Sequence, residues 1–282
     1  MLTPDSLGLA HHARTFPTKP ALIIGSRRVT YAALNERVNR LARALLQAEV
    51  GSGDTVAAVL DNCVEWFELL NACGKIGARL VPIGYRLKGP EIAYMLNDSR
   101  AKVMLAASHL SAEVERALRD IEWSDDNLWV VGDDRWRGVA YEDRLAAESS
   151  DEPPGALLGG GFNALVYTSG TTGRPKGVDR DVDPAQAHLQ LFGLAQMWGF
   201  GPDDTHLICG PLYHTAPSSY GQVHLLVGAT VVAMTHFDAS DALQLIERHR
   251  VTTSFMVPTH LARIIQLDAA EQQGHDLSSL RL

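Results

Sequence analysis

Residues 167–178 read Tyr-Thr-Ser-Gly-Thr-Thr-Gly-Arg-Pro-Lys-Gly-Val, and this stretch decides how the rest of the chain is interpreted. Besides the tyrosine it holds four hydroxyl side chains, three glycines and two cations. Glycines let backbone N–H groups approach an anion closely, hydroxyls add hydrogen-bond donors, and a lysine supplies a point charge. The composition therefore predicts a loop that holds a polyphosphate, with a glycine- and threonine-rich surface turn as the alternative.

The loop does not follow the Walker pattern. A Walker loop requires G-x-x-x-x-G-K-[ST], with the lysine opening a helix. Here Gly173 lies three residues before Lys176, Gly177 follows the lysine, and the next helix start is predicted at Asp183–Pro184. Spacing and context both exclude a Walker-type site.

Outward from this loop, helix and strand patterns alternate along the chain. Leu34, Val38, Leu41 and Leu45 are spaced by four, three and four residues, which predicts a helix capped at Thr30. A further helix is predicted to begin at Pro90. Other helices are predicted at 64–75, 111–121, 184–199, 219–227, 238–250 and 258–267. Strands are predicted at 55–60, 80–83, 102–106, 128–131, 163–167, 205–209, 229–234 and 252–257. The alternation predicts an α/β fold in which layered, largely parallel sheets carry helices on both faces.

Composition narrows the class of protein further. The chain has 282 residues, is 46% hydrophobic and carries a net charge of −8 without a basic tract. These values exclude a disordered or fibrous protein and argue against nucleic acid or an anionic membrane as the main partner. The longest near-apolar stretch, 225–234, is about half a bilayer span. With three cysteines and no C-x-x-C spacing, we expect a protein of the reducing cytoplasm without a transmembrane segment.

The run Thr168–Gly177 resembles the signature loop of the AMP-forming acyl-CoA synthetase, luciferase and adenylation-domain superfamily. Every position of the pattern hydroxyl-Ser-Gly-Thr-Thr-Gly-x-Pro-Lys-Gly is filled. Residues 211–217 with 228–232 resemble the acyl-pocket segment of the family, and 255–259 resemble the strand and helix start that follow it. Residues 29–34 and 53–56 also resemble early segments of this family. The resemblance spans nearly the whole chain and is closest to fatty-acyl-CoA synthetases.

The resemblance implies a two-step reaction. A carboxylate attacks the α-phosphate of ATP to give an acyl-adenylate, and the thiol of coenzyme A then displaces AMP. The implied phosphate-binding residues are Thr168, Ser169, Gly170, Thr171, Thr172, Gly173 and Lys176, with Mg²⁺ on the phosphates. Thr168, Lys176 and His214 are the implied catalytic residues. The implied acyl-site residues are Tyr213, His214, Thr215, Ala216, Pro258 and Thr259.

The sequence favours a plain carboxylate over an amino acid. Residues 237–240, Phe-Asp-Ala-Ser, match the motif with which amino-acid-activating domains hold the substrate ammonium, but here the motif follows the Gly228–Thr230 strand instead of preceding it. Asp238 is therefore interpreted as a helix cap. Small residues (Ala216, Ser218, Ser219, Gly221) leave room for a fatty acid, and an aryl or steroid-derived acid stays open.

Part of the family pattern is missing. We expect a first α/β subdomain at 1–158, which ends in the stretch 148–161, and an incomplete phosphate-loop and acyl-pocket subdomain at 159–282. The resemblance also implies an acid that helps to hold Mg²⁺, a ribose-binding acid and a C-terminal lid domain with a lysine, which we do not find in these 282 residues, so no metal ligand is named. Asp179, Asp181 and Asp183 replace the expected Ser/Thr-His pair.

The leading interpretation is the N-terminal part of an AMP-forming acid–thiol ligase, with a homodimer as a further expectation. One alternative is an adenylating domain that loads a carrier protein. Another is a truncated chain, ending near the start of a strand, that binds ligand without turnover. Metal hydrolysis and triad hydrolysis are not supported, because neither H-E-x-x-H nor G-x-S-x-G occurs.

Overall fold

The computed structural model describes residues 6–132, 136–157, 163–168, 176–178 and 184–282, with only the backbone described at 184–188. Contacts divide the chain into two compact units. The first unit comprises residues 1–34, 62–64 and 189–282, and the second unit comprises 35–61 and 65–188.

The elements follow one another in the alternating order that the sequence predicts. The helices are α1 (Leu9–Thr15), α2 (Tyr31–Gln47), α3 (Val64–Ile76), α4 (Gly89–Ser99), α5 (Ser111–Leu118), α6 (Tyr141–Ala146), α7 (Pro184–Trp198), α8 (Thr215–Leu226), α9 (Ala239–His249), α10 (Pro258–Ile265) and α11 (Ala269–Gln273). The strands are β1 (Pro20–Ile24), β2 (Arg27–Thr30), β3 (Thr55–Val59), β4 (Arg79–Pro82), β5 (Val103–Ala107), β6 (Leu128–Val131), β7 (Val139–Ala140), β8 (Val166–Thr168), β9 (Lys176–Val178), β10 (Thr205–Ile208), β11 (Thr230–Ala233) and β12 (Thr253–Phe255).

The second unit is built on a parallel sheet with the order β4-β3-β5-β6-β7. Every residue of β3 and β5 is buried, as expected of strands covered on both faces. Trp66 on α3 and Trp129 on β6 are among the largest fully buried side chains. The core formed by β3, β4, β5 and β6 extends onto α4 and α5.

The first unit is built on a sheet with the order β12-β10-β11-β1-β2, parallel except for the antiparallel β1–β2 hairpin. Alternate residues of β10 face opposite helices. Leu207 packs in the core cluster with Ala242 and Ile246 of α9, whereas the ring of His206 stacks on that of His224 of α8. The helices α8 and α9 therefore cover opposite faces of this sheet.

The α/β class and most predicted elements are confirmed. α8 begins at Thr215, four residues before the predicted start, and the predicted strand at 163–167 is an isolated bridge between Leu80 and Ala164 followed by β8. Asp238 caps α9, because its carboxylate accepts a hydrogen bond from the backbone N–H of Asp241 at 3.0 Å. The predicted cap at Asp183, like Asp179 and Asp181, lies outside the described residues.

The polar stretch after Glu148, predicted as a surface connection, is tied to helices of the second unit. Arg43 donates to the carbonyls of Asp151 and Glu152, each at 3.0 Å, and the Glu152 carboxylate pairs with Lys75 at 2.6 Å. Leu157 N–H donates to the Lys75 carbonyl at 2.9 Å. By contacts this stretch belongs to the second unit, whose last residue is 188, and a subdomain boundary at residue 158 stays a prediction.

Candidate functional site

The predicted phosphate loop is closed by a two-stranded antiparallel ribbon of β8 and β9. Thr168 at the end of β8 lies directly opposite Lys176 at the start of β9. Both side chains are exposed. Ser169, Gly170, Thr171, Thr172 and Gly173 lie outside the described residues. The structure therefore brings together the two residues that flank the loop, one hydroxyl and one ammonium.

Tyr167 fixes this ribbon to α4. Its hydroxyl donates to the Asp98 carboxylate at 2.7 Å, and its ring lies edge-on to Tyr94 at 6.4 Å. Burial, together with the hydrogen bond to Asp98, raises the pKa of Tyr167. A Cβ at Gly177 would lie 3.3 Å from the Tyr167 ring and from Leu165, so glycine lets β9 cross closely over this anchor.

The predicted acyl-site residues 213–216 form the start of α8. His214 is the N-cap residue, and its ring lies 4.3 Å from that of Tyr213. Thr215 and Ala216 occupy the first turn and are half-buried. His214 is exposed, and partial loss of hydration lowers its pKa. Its imidazole is therefore neutral at pH 7, able both to donate and to accept one hydrogen bond.

Sequence reasoning missed the residue that holds this segment, Asn62. Its buried side-chain amide donates to the carbonyls of Gly210 at 3.0 Å and Met234 at 2.7 Å, and its oxygen accepts from Leu212 N–H at 2.7 Å. These three bonds fix the turn immediately before His214 to the end of β11. The available signal was a polar residue three positions after the end of the buried strand β3, where parallel strands place ligand-binding loops.

The remaining predicted acyl-site residues, Pro258 and Thr259, form the first turn of α10 and are exposed. The next residue, His260, lies near Gly210: a Cβ there would approach His260 Cε1 at 3.7 Å. The acyl-site residues belong to the first unit, and Thr168 and Lys176 belong to the second.

A chain of hydrogen bonds beneath α8 joins two buried histidines through Thr253. His224 Nδ1 lies 2.6 Å from the Tyr220 carbonyl, so it carries the proton, and His224 Nε2 accepts from the Thr253 hydroxyl at 3.0 Å. The same hydroxyl then accepts from His206 Nδ1 at 2.9 Å. His206 Nε2 has no hydrogen-bond partner among the described residues, as fits an unprotonated ring nitrogen. Burial lowers the pKa of His224 to about 4 and that of His206 well below its usual value.

No metal-binding cluster and no membrane span occurs in the part of the chain that the structure describes. No three histidine, cysteine, aspartate or glutamate side chains there are grouped so that they could hold a metal ion. Binding of Mg²⁺ on the phosphates stays a prediction, and no reaction step is assigned to that ion. None of the described helices is long and apolar enough to cross a bilayer.

Residues 9–282 match the AMP-binding enzyme family, and the chain belongs to that family. The long-chain-fatty-acid–CoA ligase FadD13 of Mycobacterium tuberculosis is 34% identical over 239 residues, covering 83% of this chain and 45% of that protein. The feruloyl-CoA synthase of an Amycolatopsis species is 36% identical over 275 residues, covering 95% and 51%. The crystal structure of the N-terminal domain of FACL13 from Mycobacterium tuberculosis has a TM-score of 0.79 and 30% identity, covering 97% of this chain and 67% of that one.

These similarities confirm the predicted family and the adenylate-forming α/β fold. The chain spans about half the length of the curated relatives it matches. One relative is named for a long-chain fatty acid and the other for a feruloyl group. Acid–CoA ligation is common to both, whereas the acid differs.

Proposed function

We propose that this chain forms the first part of an ATP-dependent acid–thiol ligase, which converts a carboxylic acid to an acyl-adenylate and then to an acyl-CoA thioester. The observation that carries the proposal is the pairing of Thr168 with Lys176 across the ribbon. This pairing places a hydroxyl and a cation at the mouth of a loop in which every position of the family motif is filled.

In the first step, a carboxylate oxygen forms a bond to the α-phosphorus of ATP, and the bond to the bridging oxygen breaks. Pyrophosphate departs with the electron pair. Lys176, Thr168 and the donors of residues 169–173 would stabilise the negative charge on the phosphates, and fixed donors of this kind lower a barrier without reorganising. In the second step, the thiol of coenzyme A attacks the acyl carbon, loses its proton, and AMP leaves.

A fatty acid is the substrate class we propose, with an aryl acid as the next candidate. Asp238 is occupied as the cap of α9, which leaves no carboxylate from that motif to hold a substrate ammonium. The residues at the start of α8 are small after Thr215, so an acyl chain could pass there. His214, neutral and at the positive end of α8, would orient the substrate carboxylate through a hydrogen bond.

The proposal includes a cytoplasmic location and a homodimer. The location is supported by three cysteines that form no disulfide, Cys63, Cys73 and Cys209. The two alternatives retained from the sequence are transfer of the acyl group to a carrier protein and ligand binding without turnover. Both use the same adenylate site, so nucleotide binding alone does not separate them.

The test is carboxylate-dependent exchange of pyrophosphate into ATP with the 282-residue chain and a panel of fatty, aryl and amino acids. Exchange with a fatty acid supports the proposal. We expect Lys176→Ala to slow exchange by ~10²–10³, because it removes an electrostatic contact to the departing phosphates, and to leave fatty-acid binding unchanged. Lys88→Ala, at a lysine whose side chain is 68% exposed, is the matched control.

The other outcomes separate the alternatives. Saturable nucleotide binding without exchange, lost in Lys176→Ala and retained in Lys88→Ala, supports ligand binding without turnover. Exchange followed by transfer to a carrier protein but not to coenzyme A supports carrier loading. Equal exchange by Lys176→Ala and the unsubstituted chain contradicts the role of Lys176.

A further inference from the structure

A groove lies on the first unit where α9 runs beside the β1–β2 hairpin, with a cavity volume of about 230 Å³. Its floor is apolar and includes Ile23, Val232 and Leu245. Val232 and Ile23 belong to the core cluster beneath α9, so the groove opens on the face of the sheet opposite α8. It is therefore separate from the predicted acyl site at the start of α8.

One arginine lines the groove and a second lies on the neighbouring strand β2, and neither has an ionic partner among the described residues. Arg248 of α9 lines the groove directly. Arg28 of β2 pairs with Ile23 in the antiparallel register, and directly paired residues project from the same face of a sheet. Neither guanidinium forms an ion pair or hydrogen bond with any residue that the structure describes.

The lowered pKa of a neighbouring histidine supports the placement of both arginines on this face of the sheet. The pKa of His249 is lowered, first by burial and then by the positive charges of Arg248 and Arg28. Both guanidiniums therefore lie close enough to His249 to act on it electrostatically. In a chain with a net charge of −8, this is a local concentration of unneutralised positive charge beside an apolar floor.

The rest of the rim carries polar groups other than arginine, and one of them is a carboxylate. Thr235 and His236 follow the end of β11, and Asp241 lies in the first turn of α9. Asp241 and Arg248 are separated by two turns of α9, roughly 10 Å along its axis. The carboxylate and the arginine thus belong to opposite ends of the groove, and Gln244 lies between them on the same helix.

We propose that this groove binds a small organic anion, with its phosphate or carboxylate held by Arg28 and Arg248 and a compact apolar body on the floor formed by Ile23, Val232 and Leu245. A guanidinium binds either anion through paired N–H donors, and Gln244 adds a neutral donor beside it. An apolar floor with a few polar groups at its rim is typical of small-ligand sites. The site is an addition to the proposed adenylate and acyl sites.

The experiment is calorimetric titration of the full chain with phenyl phosphate, 3-phenylpropionate, inorganic phosphate and benzyl alcohol. We expect one phenyl phosphate per chain, at least tenfold weaker binding of inorganic phosphate, and no binding of benzyl alcohol. The comparison of phenyl phosphate with 3-phenylpropionate identifies the preferred anionic group. Arg248→Gln and Arg28→Gln should each weaken binding at least tenfold, whereas Arg263→Gln, at an exposed arginine on α10, should leave it unchanged.

Several results would overturn the proposal. The first is the absence of saturable binding of phenyl phosphate, and the second is an equally large loss of affinity in Arg263→Gln. The third is displacement of phenyl phosphate by ATP together with loss of phenyl phosphate binding in Lys176→Ala. The last result would place the anion at the phosphate loop. Because Lys176→Ala leaves the groove intact, failure of the proposed adenylation and failure of this site give different results. Both groove arginines are exposed, so the variants retain the fold, which circular dichroism checks.

Discussion

The two units each contain a buried polar cluster, and the clusters are built in opposite ways. In the second unit, Arg37 pairs with Glu68 at 2.5 Å and with Glu142 at 2.7 Å, and the Tyr141 hydroxyl donates to Glu68. The Glu68 side chain is 0% exposed. In the first unit, the chain that links His206, Thr253 and His224 contains no charge at neutral pH. One cluster is held by ion pairs and the other by a directed sequence of neutral hydrogen bonds.

The difference determines which kind of change destabilises each cluster. A buried ion pair costs desolvation to form, but removal of one partner leaves an uncompensated charge. The histidine chain has its protons in fixed places, so an added proton at His206 Nε2 would be a buried donor without an acceptor. The ionic cluster is therefore sensitive to loss of a side chain, and the histidine cluster is sensitive to acid.

Arg37→Met is expected to have the largest effect. The substitution leaves Glu68 buried opposite an apolar side chain and should lower the free energy of unfolding by about 3–5 kcal/mol. Urea denaturation measures this change. Arg250→Met is the control, because Arg250 pairs with Asp276 at 2.6 Å on the surface, where a pair contributes about 0–1 kcal/mol. Equal losses in the two variants would contradict the comparison.

Lowering the pH is expected to have the next largest effect on the free energy of unfolding, through a buried histidine of the first unit. The pKa of His224 is lowered from 6.5 to about 4 in the folded state by burial. The unfolded chain therefore binds a proton more readily, and stability that is complete above pH 6.5 falls as the pH drops towards 4. The loss from this residue is roughly 3 kcal/mol, since one pKa unit corresponds to about 1.4 kcal/mol.

Urea midpoints measured between pH 7 and pH 4 check this prediction. His224→Gln retains hydrogen-bonding groups but does not titrate, so its stability should depend less steeply on pH over this range. An unchanged slope in His224→Gln would show that other groups dominate acid sensitivity.

Thr253→Val is expected to have the smallest effect of the three. Valine has the shape of threonine but no hydroxyl, so His206 Nδ1 and His224 Nε2 both lose their partner. Leaving such buried groups unpaired costs about 1–3 kcal/mol. Thr253→Ser retains the hydroxyl and should recover most of the loss in urea denaturation. A valine variant as stable as the serine variant would show that the hydroxyl does not hold the two histidines.

Most of the fold could be predicted from sequence because its signals are local. The spacing of Leu34, Val38 and Leu41 identifies α2, and the apolar runs identify β3 and β5. The β1–β2 hairpin was missed, because β2 begins with two exposed arginines and lacks an apolar run. Its place beside β11 depends on residues some 200 positions away.

The candidate site likewise contains some residues that a local sequence pattern predicts and others that depend on contacts distant in sequence. The motif around Lys176 is contiguous, so the sequence alone indicates its chemistry. The role of Asn62 depends on contacts with Gly210 and Met234 across about 150 residues or more, which no local pattern encodes. Arg28 and Arg248 likewise come close to His249 only through the sheet register and the packing of α9.

The distribution of tryptophan has a consequence for spectroscopy. Trp66 and Trp129 lie buried in the second unit, which also contains Trp123 and Trp136, whereas Trp198 is the one tryptophan of the first unit and is 41% exposed. Intrinsic fluorescence will therefore report chiefly on the second unit. A loss of structure confined to the histidine cluster would leave most of the emission unchanged and would be seen instead in the imidazole proton resonances.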